Sequence, residues 1–197
     1  EGRKLSILTT RGMYSGYWAL AGYPILWSIN YSAVEESFYQ MRDYDDWCFG
    51  ILHEIGHVFN IGNTSWNWND EMFANFRMHY GLEMNQGKVY MNGADGKKRI
   101  YTGGEILDMY KIDYDNTVGS KVNDNGIHYM LARMANEHAL GWEPFKKTFN
   151  YLRQNGCPGA RTKYDRFEHF VNTLDRFAKE TNANANAWSY FSNSEIN

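Results

Sequence analysis

The sequence predicts an α+β fold that is mostly helical, with a small N-terminal β portion and a β-hairpin after a central pair of helices. Three observations carry this. Residues 5–30 are rich in aromatics, glycine and β-formers. Two segments of strand character flank a turn around residues 92–96, and most of the remaining chain has apolar residues at helical spacing.

Leu5 to Thr10 is a short β-type run, and Tyr14 to Ile29 continues it with glycine punctuation, giving two or three strands. Ser32 to Met41 reads as a short helix with Ser32 and Glu35 in capping-box spacing. The central helix contains His53-Glu54-Ile55-Gly56-His57. Cys48, Leu52, Ile55 and Phe59 are its expected apolar side. Asn60 to Trp68 is a loop by its glycine, asparagines and serine. A second helix follows from Asn69 to Tyr80, capped by Asn69 or Asp70.

Lys88-Val89-Tyr90-Met91 and Lys98-Arg99-Ile100-Tyr101 flank Asn92-Gly93-Ala94-Asp95-Gly96, a hairpin by its turn chemistry. Glu105 to Tyr110 is a short helix. Asn123 or Asp124 caps another, expected to reach about Leu140 and end at Gly141. Glu143 to Arg153 follows, with Pro144 in its first turn. Tyr164 to Thr181 is the cleanest amphipathic helix, with Phe167, Phe170, Val171, Leu174, Phe177 and Ala178 in one stripe. The Asn-Ala tract 182–187 reads as a brief linker. With no internal repeat and no dividing linker, residues 1–197 are expected to form a single domain.

The chemistry concentrates in the central helix. Residues four apart share a helical face, so His53 and His57 can present two imidazoles to one metal ion, with Glu54 placed to act as a base rather than a ligand. Zinc suits such donors, and a catalytic zinc keeps one open position. A third histidine in an HExxHxxGxxH extension is disfavoured, because Asn60 and Asn63 occupy the glycine and last histidine positions. A carboxylate from the following helix is the alternative. Glu71 is favoured by its reach, with Asn75 four residues on as hydrogen-bonding support. Asp70 reads better as a cap. A closed, structural zinc site would need a fourth protein ligand, for which His79 and Asp70 are the surplus candidates. His128 and Tyr129 are candidates for stabilising a transition state, with core or capping roles as the alternative. Trp66 and Trp68 could stack on sugar rings or simply rigidify the loop.

HEIGH, a tryptophan-bearing loop, then Glu71 and Asn75 resemble the enhancin and mucinase-type zinc metallopeptidases, an M60-like domain of gluzincin type. Gly22-Tyr23-Pro24-Ile25 upstream is similar to a segment of that family. So is the stretch from Asn125-Gly126-Ile127-His128 to Gly141-Trp142-Glu143-Pro144, a pair of helices joined at Gly-Trp. The resemblance implies one Zn2+ as cofactor and a glycoprotein or glycopeptide substrate, often a mucin with an O-glycan beside the scissile bond. It also implies secretion to the cell surface or beyond. In gluzincins an edge strand beside the zinc helix pairs with extended substrate, and Gly22 to Trp27 is the candidate, with an ordinary core strand as the equal alternative. The alternative function is a catalytically degenerate glycoprotein-binding or carbohydrate-binding surface domain that retains a zinc site. The resemblance also implies a longer N-terminal part than precedes His53 here.

Composition excludes other classes. The chain is 43% hydrophobic and 17% aromatic, so it buries a core. A formal charge of −3 offers no basic field for nucleic acid or anionic lipid. Its apolar runs are too short to span a bilayer. A monomer is expected. The chain begins with Glu1, as a processed product or excised segment would. Cys48 and Cys157 are expected to be free thiols. The sequons at Asn30 and Asn63 read as chance matches, which favours a bacterial source.

Overall fold

The computed structural model describes residues 4–60, 62–92, 95, 97–117, 124–136 and 140–191. Among them are seven α-helices and two small three-stranded sheets, so the mostly helical α+β expectation holds. The chain folds as two compact units. One comprises Glu1–Phe59 with Arg77–Ile106, the other Asn60–Phe76 with Leu107–Asn197.

In the first unit, β1 (Ile7–Thr10), β2 (Ala19–Leu20) and β3 (Ile25–Ser28) form a sheet in the order β1-β3-β2. β3 is parallel to β1, Ile7 opposite Ile25, and antiparallel to β2, Ala19 opposite Trp27. This corrects the expected edge strand. Both ladders of β3 are occupied, as the near-complete burial of Ile25 and Trp27 suits, and β1 and β2 are the edges. α1 (Ser32–Tyr44) begins one residue earlier than a Ser32 cap would allow. Tyr31 is its N-cap residue, without a side-chain cap, so the expected capping box does not form.

β4 (Trp47–Cys48) leads directly into α2 (Phe49–Val58). Ile51 packs with Ala19, Trp27 and Val34, and Cys48 and Ile55 lie at the edge of that cluster. The expected apolar side of α2 is therefore only half right, since Phe59 is 64% exposed and Ile51 and Val58 are the buried pair. β5 (Lys88–Asn92) and β6 (Lys98–Thr102) form the expected antiparallel hairpin, Tyr90 opposite Ile100, and β4 adds to β5 in parallel. Turn residues 93, 94 and 96 lie outside the described residues.

α3 (Asp70–Met84) and α4 (Gly103–Thr117) contribute residues to both units. α4 is longer than the Glu105–Tyr110 expected. α5 (Asp124–Asn136) stops before Leu140; residues 137–139 and the candidate cap Asn123 lie outside the described residues. α6 (Glu143–Asn155) carries Pro144 in its first turn, as expected.

α7 (Lys163–Thr181) buries Phe167, Phe170, Val171, Leu174 and Ala178. Phe177, the sixth residue of the expected stripe, lies at its margin beneath the Arg176 guanidinium, 4.4 Å from the ring centre. The Asn-Ala tract is no linker. Ala185 and Ala187 are buried, the Ala187 N–H donates to Asp175 at 2.8 Å, and the Trp188 indole donates to Asn172 at 2.7 Å, so the segment straps onto α7.

Thr162 caps α7, its hydroxyl accepting from the Asp165 N–H at 3.0 Å. The Asp165 carboxylate in return accepts from the N–H groups of Arg161 and Thr162, which holds its pKa below the ordinary aspartate value. Thr162→Ala is expected to cost about 1 kcal/mol of unfolding free energy in urea titrations. A lowered folded pKa gives stability that is present above the unfolded value, about 3.9, and lost as pH falls through the folded one. Melting curves of wild type and Asp165→Asn should therefore differ at neutral pH and converge in acid.

Candidate metal centre

α2 places His53 and His57 one turn apart, and their Nε2 atoms lie 2.9 Å from each other. The rings meet edge to face, 4.6 Å between centres. One donor atom from each of His53, His57 and Glu71 lies within 4.8 Å of the others; both histidines are half-buried and Glu71 is exposed. Donors around zinc at 2.0–2.2 Å stand roughly 3–4 Å apart, so two imidazoles and one carboxylate at this separation suit the ion in number, type and spacing. Among the described residues no fourth histidine, cysteine or acid joins the group.

The surplus candidates are engaged elsewhere. His79 is fully buried and its Nε2 lies 2.7 Å from Glu83. Asp70 accepts from the Asn67 side chain at 2.7 Å. The helix cap is Asn69, whose side-chain oxygen accepts from the Met72 N–H at 3.0 Å. Of the two residues offered as caps, Asn69 takes the role and Asp70 does not.

Glu71 is held in place by its neighbours on both sides in the chain. Phe73, two residues on, is fully buried in an aromatic cluster with Trp66 at 5.3 Å, Trp68 at 5.0 Å and Phe170 at 5.2 Å between ring centres. Trp66 and Trp68 are 3% and 6% exposed. This corrects their assignment as possible sugar-stacking platforms, because a ring packed on both faces has none free for a ligand.

The loop backbone is tied as tightly. The Asn63 N–H donates to Arg153 O at 2.9 Å, and the Ser65 hydroxyl accepts from the Cys157 N–H at 2.9 Å. Gly62, at φ +100°, approaches Arg153 so closely that a Cβ there would stand 2.9 Å from its carbonyl oxygen.

His128 and Tyr129 also prove to be core rings. His128 is 1% exposed, 4.4 Å from Tyr110 and 5.8 Å from Phe76 between ring centres, and Tyr129 packs on Tyr114 at 5.2 Å. Their place on the buried face of α5 gives the core alternative and not the transition-state role. Asn75, one turn after Glu71, is half-buried on α3. Glu54 is 9% exposed on α2. Cys48 and Cys157 are free thiols as expected, and burial raises the pKa of Cys157.

Two contacts escape a reading of the sequence. Arg77 of α3 donates to the Gly56 carbonyl of α2 at 3.2 Å, tying α3 to the turn that separates the two histidines. Phe49 stacks on the His53 ring, 6.4 Å between centres and 15° between planes. The signal for it is its position four residues before His53, on the metal-facing stripe.

A family model described as peptidase M60, enhancin and enhancin-like, matches residues 3–188. No curated protein and no solved structure matches the chain. No helix among the described residues is long and apolar enough to cross a membrane.

Trp66→Ala should destabilise the fold by about 3–5 kcal/mol, the range for emptying a buried aromatic site, whereas Trp66→Phe should cost far less. Equilibrium unfolding of both variants measures this; near-neutral Trp66→Ala would mean that the indole is not part of the core.

Proposed function

Because the chain belongs to the peptidase M60 family of enhancin and enhancin-like proteins, we propose that it is a zinc-dependent endopeptidase acting on glycoproteins, mucin-like O-glycosylated ones first among them. The observation that carries the proposal is the convergence of His53, His57 and Glu71, with three donors and no fourth among the described residues. Residues 1–197 act in this reading as a single catalytic domain outside the cell.

His53, His57 and Glu71 would hold the zinc, with Asn75 supporting Glu71 through a hydrogen bond. When bound, zinc supplies Lewis-acid activation of water and of the scissile carbonyl. Glu54 adjoins His53 in sequence and is not among the three donors. Its carboxylate takes the proton of the attacking water, holds it while the tetrahedral centre forms, and returns it to the departing amine nitrogen. Low solvent exposure sharpens that role, since a sheltered carboxylate exchanges its proton with few competing waters. The stacked Phe49 ring fixes the orientation of His53, and the Arg77 bond to the Gly56 carbonyl holds the helical turn between the two ligands.

Glu54→Gln should retain about one zinc per chain by elemental analysis and lose on the order of 10²- to 10⁴-fold in turnover of O-glycosylated mucin. Glu71→Ala should lose the metal itself. A chelator should abolish cleavage and added zinc restore it. Undiminished cleavage by Glu54→Gln would remove the proposed base, and full zinc occupancy in Glu71→Ala would remove the third ligand.

A further inference from the structure

We infer that the cleft walled by Phe49, the ring that stacks on His53, is a specificity pocket that takes a large aliphatic or aromatic side chain of the peptide substrate, next to the scissile bond. The inference rests on the peptidase reading for the word substrate and on the first unit alone for its geometry.

The cleft has a volume of about 380 Å³, at the small end of the roughly 300–1,000 Å³ of ligand pockets and ample for one side chain. Trp18 and Tyr31, 40% and 42% exposed, stand at its mouth, and Val34 and Ser37, nearly fully buried, form its floor. Phe49 links it to His53, because that ring both lines the pocket and stacks on the imidazole. Gly50 makes room for the opposite wall. A Cβ at position 50 would stand 1.9 Å from the Trp18 ring, so only glycine lets the indole lie against α2. Gly50 is four residues before Glu54, on the face of α2 that carries the motif.

The chemistry selects against charge and against sugar. Among the described residues no charged side chain lines the pocket. Two of its hydroxyls are paired, the Tyr90 hydroxyl donating to Ser37 and the Ser37 hydroxyl to the Ala33 carbonyl at 2.6 Å, while the buried Trp27 indole N–H in the same wall makes no hydrogen bond. Both hydroxyl protons are thereby spent. Burial also pushes the Tyr90 pKa well above its ordinary value, keeping the phenol neutral. A sugar would bring several hydroxyls to a wall with no free donor from this pair, and a carboxylate or ammonium would lose its hydration uncompensated. An apolar side chain gives up only water.

Two measurements test this. Zinc-loaded wild type and Ala33→Trp, which fills the mouth from an exposed position on the first turn of α1, are compared on O-glycopeptides bearing Phe, Leu, Gly or Glu near the scissile bond. Wild type should prefer Phe or Leu over Gly at one fixed position by about tenfold or more in kcat/KM. Ala33→Trp should lower that ratio by a similar factor. Separately, Cys48 lines the same pocket, so its alkylation in wild type, read by mass spectrometry, should slow with N-acetylphenylalaninamide and not with N-acetylglycinamide.

Cleavage without side-chain preference, or a preference unchanged in Ala33→Trp, overturns the inference. So does unaltered Cys48 alkylation. Loss of all cleavage with Cys48 still protected supports the pocket while removing the peptidase reading, so the two failures are distinguishable.

Discussion

Burial of two tryptophans in a loop fixes the start of the helix that carries Glu71, the candidate third donor. Trp66 and Trp68 lie in a segment with no regular secondary structure, yet both are buried. Rings of this size bury on the order of 150–250 Å² each, and tilted or edge-to-face pairs with Phe73, Phe167 and Phe170 add directional preference to that area. Phe73 is two residues past Glu71 on the same helix, so whatever anchors the ring also anchors the backbone from which the exposed Glu71 side chain projects. A flexible loop here would spread Glu71 over many positions, and displacement by about 1 Å is enough to cost a catalytic centre much of its rate. Asn69 completes the device by capping the helix at its first turn.

The motif helix works under a related economy. Ten residues, Phe49–Val58, carry the two histidines and the glutamate, a core contact through Ile51 and a close approach at Gly50. Ile51 turns to the core while Gly50 shares the motif's own face one turn before Glu54, a division that the 3.6-residue period makes possible. Gly56 serves a second close neighbour, since its carbonyl accepts from Arg77. The apolar surface left for packing is narrow. That explains why Phe59 lies exposed beyond the helix while Cys48 and Ile55 are only partly covered.

Much of this is legible in the sequence because it is local. The i, i+4 histidines, the hairpin around residue 93 and the amphipathic period of α7 are short-range patterns, and each survives in the fold. The failures share a different cause. Gly22 to Trp27 reads as an edge strand or a core strand equally well, because only the partners of β3 decide, and they come from residues 7–10 and 19–20. Ser32 and Glu35 have capping-box spacing, but the chain enters α1 one residue too early for the hydroxyl to serve. Trp66 and Trp68 look available to a ligand in the sequence because their covering rings, Phe149, Phe167 and Phe170, are nearly a hundred residues away. The Asn-Ala tract looks like a linker for the same reason, its anchors Asn172 and Asp175 being on another element.

The same distinction separates chemistry from selectivity. In the proposed reading, two imidazoles, a carboxylate and a base would act on any peptide bond brought to them, and they can be read from a few residues of motif. Discrimination among peptides needs walls, and walls are made by distant segments that meet: Trp18 from before β2, Tyr31 and Val34 around the start of α1, Phe49 from α2 and Tyr90 from β5. None of these residues announces a binding role alone. The absent side chain at Gly50, the spent hydroxyl protons of Tyr90 and Ser37, and a ring shared with His53 give the cleft a direction and a polarity. An enzyme of this design would owe its reaction to a pentapeptide and one glutamate of the next helix, and its choice of substrate residue to the surrounding fold.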